Sequence, residues 1–160
     1  MSENGTVNWG FIGAGGLATG TTAKSLHNAH NANLFAAAAR DKSRALGLSP
    51  KIAYDSYEKL IQDPNIEAVY ISLNNDAHLP WILKSLDAGK HVLCEKPMVL
   101  NAGETINAYA HAKDKGLLLV EAVWSLWHPR AQRVQELVSS KAIGSPTNYL
   151  GTFTFDGVTK

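Results

Sequence analysis

Six residues with the character of a buried strand, Val7 to Ile12, run without a break into Gly13-Ala14-Gly15-Gly16-Leu17-Ala18. A segment that can be helical follows, to about Asn28 or Asn31. A strand, a glycine turn and a helix in immediate succession restrict the chain to few folds. In a Gly-x-Gly-x-x-Ala turn the first glycine allows the tight bend and the second lets backbone approach a pyrophosphate. The small third residue lets helix and strand pack closely, with the helix N-terminus facing the anion. On this reading Gly13, Gly15, Gly16, Leu17 and Ala18 form a dinucleotide-binding turn. Gly20, Thr21 and Thr22 weaken the helix that follows, so its helical state depends on context.

The alternation continues. Leu34 to Ala39 reads as a second buried strand, Lys42 to Leu48 as a helix ended by Pro50, and Ile52 to Tyr54 as a third, short strand. Asp55, with Glu58 three residues on, reads as the N-cap of a helix that Pro64 stops. Ala68 to Leu73 is a strand broken by Asn74-Asn75-Asp76, and His78 to Asp87 a helix with Pro80 near its first turn, where a missing N–H does no harm. His91 to Cys94 is a brief strand, and Asn101 with Glu104 a capping box on a helix that Gly116 stops. Leu117 to Glu121 is a further strand, and Pro129 to Ser140 an amphipathic helix. Strands alternating with helices across short connections predict an α/β fold, a Rossmann-type doubly wound parallel sheet, over residues 1–145. Asn148 to Phe155 instead alternates like a half-exposed strand with no helix after it. Residues 146–160 therefore read as the first strand of a second domain.

At 160 residues and 45% hydrophobic, the chain can bury one sizeable core. Fifteen basic against fourteen acidic residues leave a net charge of +1, so nothing electrostatic points to nucleic acid or an anionic membrane. One cysteine, Cys94, excludes an internal disulfide and fits a reducing compartment. With no signal-like segment at the N-terminus and no apolar run near the ~20 residues a bilayer requires, a cytoplasmic location is expected.

A second stretch carries chemistry. Ala88 to Pro97 joins a helix stop at Gly89-Lys90, the strand His91 to Cys94 and the charged turn Glu95-Lys96 before Pro97. Proline forces an extended or turn conformation on Lys96, which is thereby aimed off the carboxyl end of a strand, where open α/β sheets bind ligands. A solvated Glu-Lys turn is the alternative. At the end of the second strand a carboxylate would suit the ribose 2′-hydroxyl of NAD and an arginine the 2′-phosphate of NADP. Arg40, with Lys42 and Arg44 close by, favours NADP. Asp41 beside it leaves NAD open.

Together, Gly10 to Ala18 and Ala88 to Pro97 resemble the Gfo/Idh/MocA oxidoreductase family. The spacing between them and Glu121-Ala-Val-Trp124 resemble in particular its dimeric dihydrodiol dehydrogenase and NADP-dependent D-xylose dehydrogenase branch. The resemblance implies an N-terminal Rossmann domain, NADP or NAD as hydride carrier and a sugar, polyol or diol substrate. It makes Lys96 the catalytic lysine, next to the nicotinamide ribose, with Glu95 and Pro97 shaping that end and a bond into Pro97 that is commonly cis. Leu73, Asn74 and His78 would lie along the crevice, with His78 either touching cofactor or facing solvent at a helix start, and Trp124 would line it. Where related enzymes carry an arginine after Trp124, this chain has Ser125-Leu126-Trp127-His128, so no role transfers there. Family members have a second α+β domain that holds the substrate pocket and the dimer interface. A homodimer is therefore expected of a full-length form, and a dinucleotide-binding module without turnover is the alternative function for this chain.

Other constellations are weak. His27 and His30 lack acidic or cysteine neighbours, so no metal site is expected. Cys94 reads as core rather than nucleophile, and no serine sits in a nucleophile-elbow pattern. Hydride removal from a hydroxyl-bearing carbon needs the alcohol proton to leave and the oxygen to be stabilised, and a partly buried lysine can do either.

Overall fold

The computed structural model describes residues 5–152 and 154, and the chain divides into two units, one ending at Ala122 and the other beginning at Val123. The first unit holds six strands: β1 (Val7–Ile12), β2 (Ala32–Ala38), β3 (Ile52–Tyr54), β4 (Ala68–Ile71), β5 (His91–Cys94) and β6 (Leu119–Glu121). They form one sheet in the order β3-β2-β1-β4-β5-β6 with every pair parallel. Between them lie α1 (Ala23–His27), α2 (Lys42–Leu46), α3 (Tyr57–Gln62), α4 (Asn75–Asp87) and α5 (Ala102–Lys115). The strand order reverses between β1 and β4, and that switch point opens a crevice at the carboxyl ends of the strands.

Helices cover both faces, so neighbouring residues of one strand enter opposite cores. Phe11, Ala37 and Tyr70 pack with Ala18, Ala23 and Ala45 on one side. Ile12, Ala36, Ala38, Ile71 and Cys94 pack with Leu60, Ile82, Leu86 and Ala108 on the other. This is the fold the alternation predicts, and β1, β3 and β5 have the expected limits.

Three local details differ. Helix α3 is capped by Ser56, whose hydroxyl accepts the Lys59 N–H at 3.3 Å, and not by Asp55. With Tyr57 packed edge to face against Trp81, ring centroids 5.0 Å apart, the helix starts one residue later, and Asp55 pairs with Lys59 Nζ instead. Helix α4 begins at Asn75, with Asn74 at its N-cap position but no side-chain cap bond, so Pro80 falls inside the helix and removes the bond to the Asp76 carbonyl. The helix after the glycine turn opens with a π-helical turn, Ala18–Thr22, before α1. Single π turns recur at functional sites.

The second unit contains a 3-10 turn, Trp124–Trp127, and α6 (Pro129–Ser139), capped by His128 Nδ1 on the Arg130 N–H with Pro129 in its first turn. Residues 148–152 and 154 form no strand, and Phe153 and Phe155 of the expected strand lie outside the described residues. Among the described residues no helix is long and apolar enough to cross a membrane.

Candidate functional site

The crevice is a cleft of about 570 Å³, a size that suits a cofactor. Gly13, Gly15, Gly16, Leu17, Arg40, Leu73, Asn74, His78, Glu95 and Lys96 all line it. Of the other expected residues, Ala18 lies beneath it in the core, and Pro97 follows Lys96 in the turn. Trp124 is exposed and belongs to the second unit.

The glycine turn is held tightly. Gly13 has φ +99°, and a Cβ there would stand 2.4 Å from the Ser72 carbonyl oxygen; any side chain would push the turn off the end of β4. Its N–H bonds Ala38 O at 2.9 Å. Helical backbone starts at Gly16, where a Cβ would meet nothing within 4 Å. The first N–H groups of a helix have no partner within it, so this open cradle suits the pyrophosphate of a dinucleotide. Ala18 is completely buried against Phe11 and Ala37, as its close-packing role requires.

After β2 the charged residues separate by task. Asp41 caps α2, accepting from Ser43 Oγ at 2.8 Å and Ser43 N at 2.9 Å. Those bonds, with the Arg44 charge, hold its carboxyl below the usual range. Arg44 Nη2 donates to Ala14 O at 2.8 Å, tying α2 to the glycine turn. Arg40 makes no hydrogen bond or ion pair among the described residues and lines the cleft. Tyr57 and Trp81 line it too, and no periodicity or motif marks either of them.

The lysine end is fixed from several elements. Tyr70, buried on β4, donates to Glu95 Oε1 at 2.7 Å, and Thr22 Oγ1 lies 3.2 Å from the same hydroxyl. Burial first, and the Glu95 carboxylate after it, push the Tyr70 hydroxyl's pKa well above the ordinary phenol value. Glu95 Oε2 accepts the Lys96 N–H at 3.3 Å, and Glu121 Oε1 on β6 accepts the Met98 N–H at 2.9 Å. His78, 1% exposed, sets Nδ1 3.0 Å from Pro97 O and Nε2 3.1 Å from Leu73 O. It thus lies at the cleft wall with both ring nitrogens on backbone carbonyls, and not in solvent. The Lys96–Pro97 peptide is cis, and the Lys96 side chain is exposed in the cleft. Cys94 is buried, and desolvation with the Glu95 and Glu121 charges pushes its thiol pKa far up, leaving it no nucleophilic character.

Sequence reasoning missed Tyr57, Tyr70, Trp81 and Glu121, and it read Arg44 as added charge for the phosphate without its bond to Ala14 O. Only Glu121 stood within a quoted motif, and there without a role.

Comparison with known proteins agrees with this fold. The model of an oxidoreductase family with an NAD-binding Rossmann fold matches residues 7–123. The chain is 39% identical over 155 residues to mouse trans-1,2-dihydrobenzene-1,2-diol dehydrogenase, covering 94% of this chain and 46% of that one. It is 34% identical over 151 residues to D-xylose 1-dehydrogenase (NADP(+)) 2 of Haloferax volcanii, covering 92% and 46%. A 3-ketoreductase from Actinomadura kijaniata, solved in complex with NADP, superposes with a TM-score of 0.79 at 30% identity, covering 87% of this chain and 45% of that one. The chain thus spans about half the length of the curated relatives it matches.

Proposed function

The chain belongs to the Gfo/Idh/MocA oxidoreductase family, with its NAD-binding Rossmann fold, and from that premise we propose that it is the NADP-binding part of a dehydrogenase acting on a sugar, polyol or dihydrodiol hydroxyl. The supporting observation is that one cleft gathers an open helix start at Gly15-Gly16-Leu17, an unpartnered Arg40 and an exposed Lys96. The helix-start N–H groups hold the pyrophosphate. Arg40 presents its planar fork to the 2′-phosphate, and Leu73 and Asn74 border the middle of the cofactor. Glu95, Lys96 and Pro97 shape the nicotinamide end. Bound NADP supplies the hydride chemistry. Lys96 Nζ, held off the end of β5, stabilises the substrate oxygen and takes part in moving its proton. NADP-linked relatives support the cofactor choice. Residues 1–145 would be the dinucleotide domain and 146–160 the start of a substrate domain. A cofactor-binding module without turnover of its own is the second reading.

Fluorescence titration with NADPH and NADH tests the assignment. NADPH is expected to bind more tightly, and Arg40→Ala to remove the difference, which is about tenfold or more for a charge-assisted phosphate contact. Equal affinities in the wild type overturn the NADP reading. Under the second reading NADPH binds, no polyol or sugar is oxidised, and Lys96→Ala leaves NADPH binding nearly intact.

A further inference from the structure

Among the residues lining the cleft, His78 is the most completely buried polar side chain. The proposed function leaves its ring without a task. Its two nitrogens lie 3.0 and 3.1 Å from the carbonyl oxygens of Pro97 and Leu73, and a carbonyl only accepts. A neutral imidazole carries one N–H, so the lone pair on its other nitrogen would face the second oxygen and repel it. Only the doubly protonated ring donates both bonds.

The two carbonyls belong to the loops that follow the neighbouring strands β4 and β5. Leu73 follows β4, beside the Ser72 carbonyl on which the glycine turn rests, and Pro97 follows Lys96. We propose that His78 is a positioning residue, a doubly protonated strut that sets the spacing between the Leu73 loop and the Lys96 turn before ligand arrives. The inference rests on the reading of the cleft as a dinucleotide site. The ionisable groups on the elements around the ring are Asp76, Lys84 and Asp87 on α4, Tyr70 on β4, His91, Cys94, Glu95 and Lys96 on β5 and its turn, and Glu121 on β6. Loss of the second proton breaks one of the two bonds and uncouples the two loops, so preorganisation of the site is lost.

Histidine side-chain 15N–1H correlation spectra of the ligand-free chain at neutral pH test the strut directly, His78 being assigned by Overhauser contacts to Leu73 and Pro97. Both ring nitrogens are expected to carry a proton; a single neutral tautomer overturns the proposal. NADPH titrations of the wild type and His78→Gln across pH form the second arm. The wild type is expected to bind about tenfold more tightly while the ring is charged, the equivalent of one hydrogen bond from a charged donor. That advantage should fade as pH rises, with His78→Gln flat. Parallel pH profiles for the two proteins overturn it. A wild type that fails to bind NADPH refutes the cofactor reading and leaves the spectra to decide the strut, whereas a neutral ring with tight NADPH binding refutes the strut alone.

Discussion

Lys90→Met is expected to destabilise the chain by about 2–4 kcal/mol, although Lys90 touches no residue of the cleft. Lys90 is 6% exposed, and its Nζ donates to Asp63 O at 2.8 Å and Ile66 O at 2.7 Å. Each bond from a charged donor contributes about 1.5–3 kcal/mol net, so the pair represents about 3–6 kcal/mol. Burial opposes this gain: desolvation lowers the Lys90 pKa, and the Asp63 charge only partly restores it. Methionine replaces the aliphatic stem but removes the Lys90 donor from both carbonyls, leaving Asp63 O only the Ile66 N–H at 3.3 Å, which gives the net figure above. At about 2–4 °C per kcal/mol for a chain of this size, the melting point falls by about 4–16 °C. Thermal and urea melts followed by circular dichroism read the change. Because the folded pKa of Lys90 lies below its unfolded value, the unfolded chain binds more protons between the two. Wild-type stability therefore rises with pH in that window, below about 10.4, and the methionine variant lacks the rise. A variant melting within about 1 °C of the wild type would refute the reasoning, since desolvation would then cancel both bonds.

Two further outcomes follow from the geometry. Gly13→Ala must hold a Cβ at φ +99° and 2.4 Å from Ser72 O, so it is expected to lose about 1–3 kcal/mol in a denaturant melt and weaken NADPH binding at least tenfold. Gly16→Ala, with open space around its Cβ, should melt within about 0.5 kcal/mol of the wild type; equal losses at the two sites would contradict the account of the turn. Burial raises the pKa of Asp63, but hydrogen bonds from Asn65 and the Tyr54 hydroxyl outweigh it and hold the value below the ordinary one. Its contribution is therefore present above the unfolded value of about 3.9 and lost as pH falls through the folded one. An acid titration of Asp63→Asn should show a shallower loss of stability than the wild type, and superimposable acid limbs would count against it.

The features legible in the sequence obey local rules. Strand and helix alternate visibly because period-two and period-3.6 patterns are short-range. The limits of β3 and β5 follow from the residues that bracket them. The Asn101–Glu104 cap and the Gly116 stop form as expected, with Asn101 Oδ1 on the Glu104 N–H and φ +66° at Gly116. The error at Asp55 is also instructive: two adjacent capping residues, Asp55 and Ser56, compete, and the packing of Tyr57 on Trp81 decides between them. The sequence puts Pro80 too near the helix start because Asn74-Asn75-Asp76 reads equally well as a loop and as a first turn.

By itself, the sequence determined the class of fold, the glycine turn and the lysine placed off the end of β5, because each is set by residues adjacent in the chain. The tertiary structure decided what holds that lysine. Tyr70 reaches Glu95 across 25 residues, Glu121 reaches Met98 across 23, His78 reaches Pro97 across 19 and Arg44 reaches Ala14 across 30. None of these pairs has a spacing that a helix or strand period could reveal. They exist because the strand order brings β1, β4, β5 and β6 side by side, so residues far apart in sequence share one carboxyl edge of the sheet.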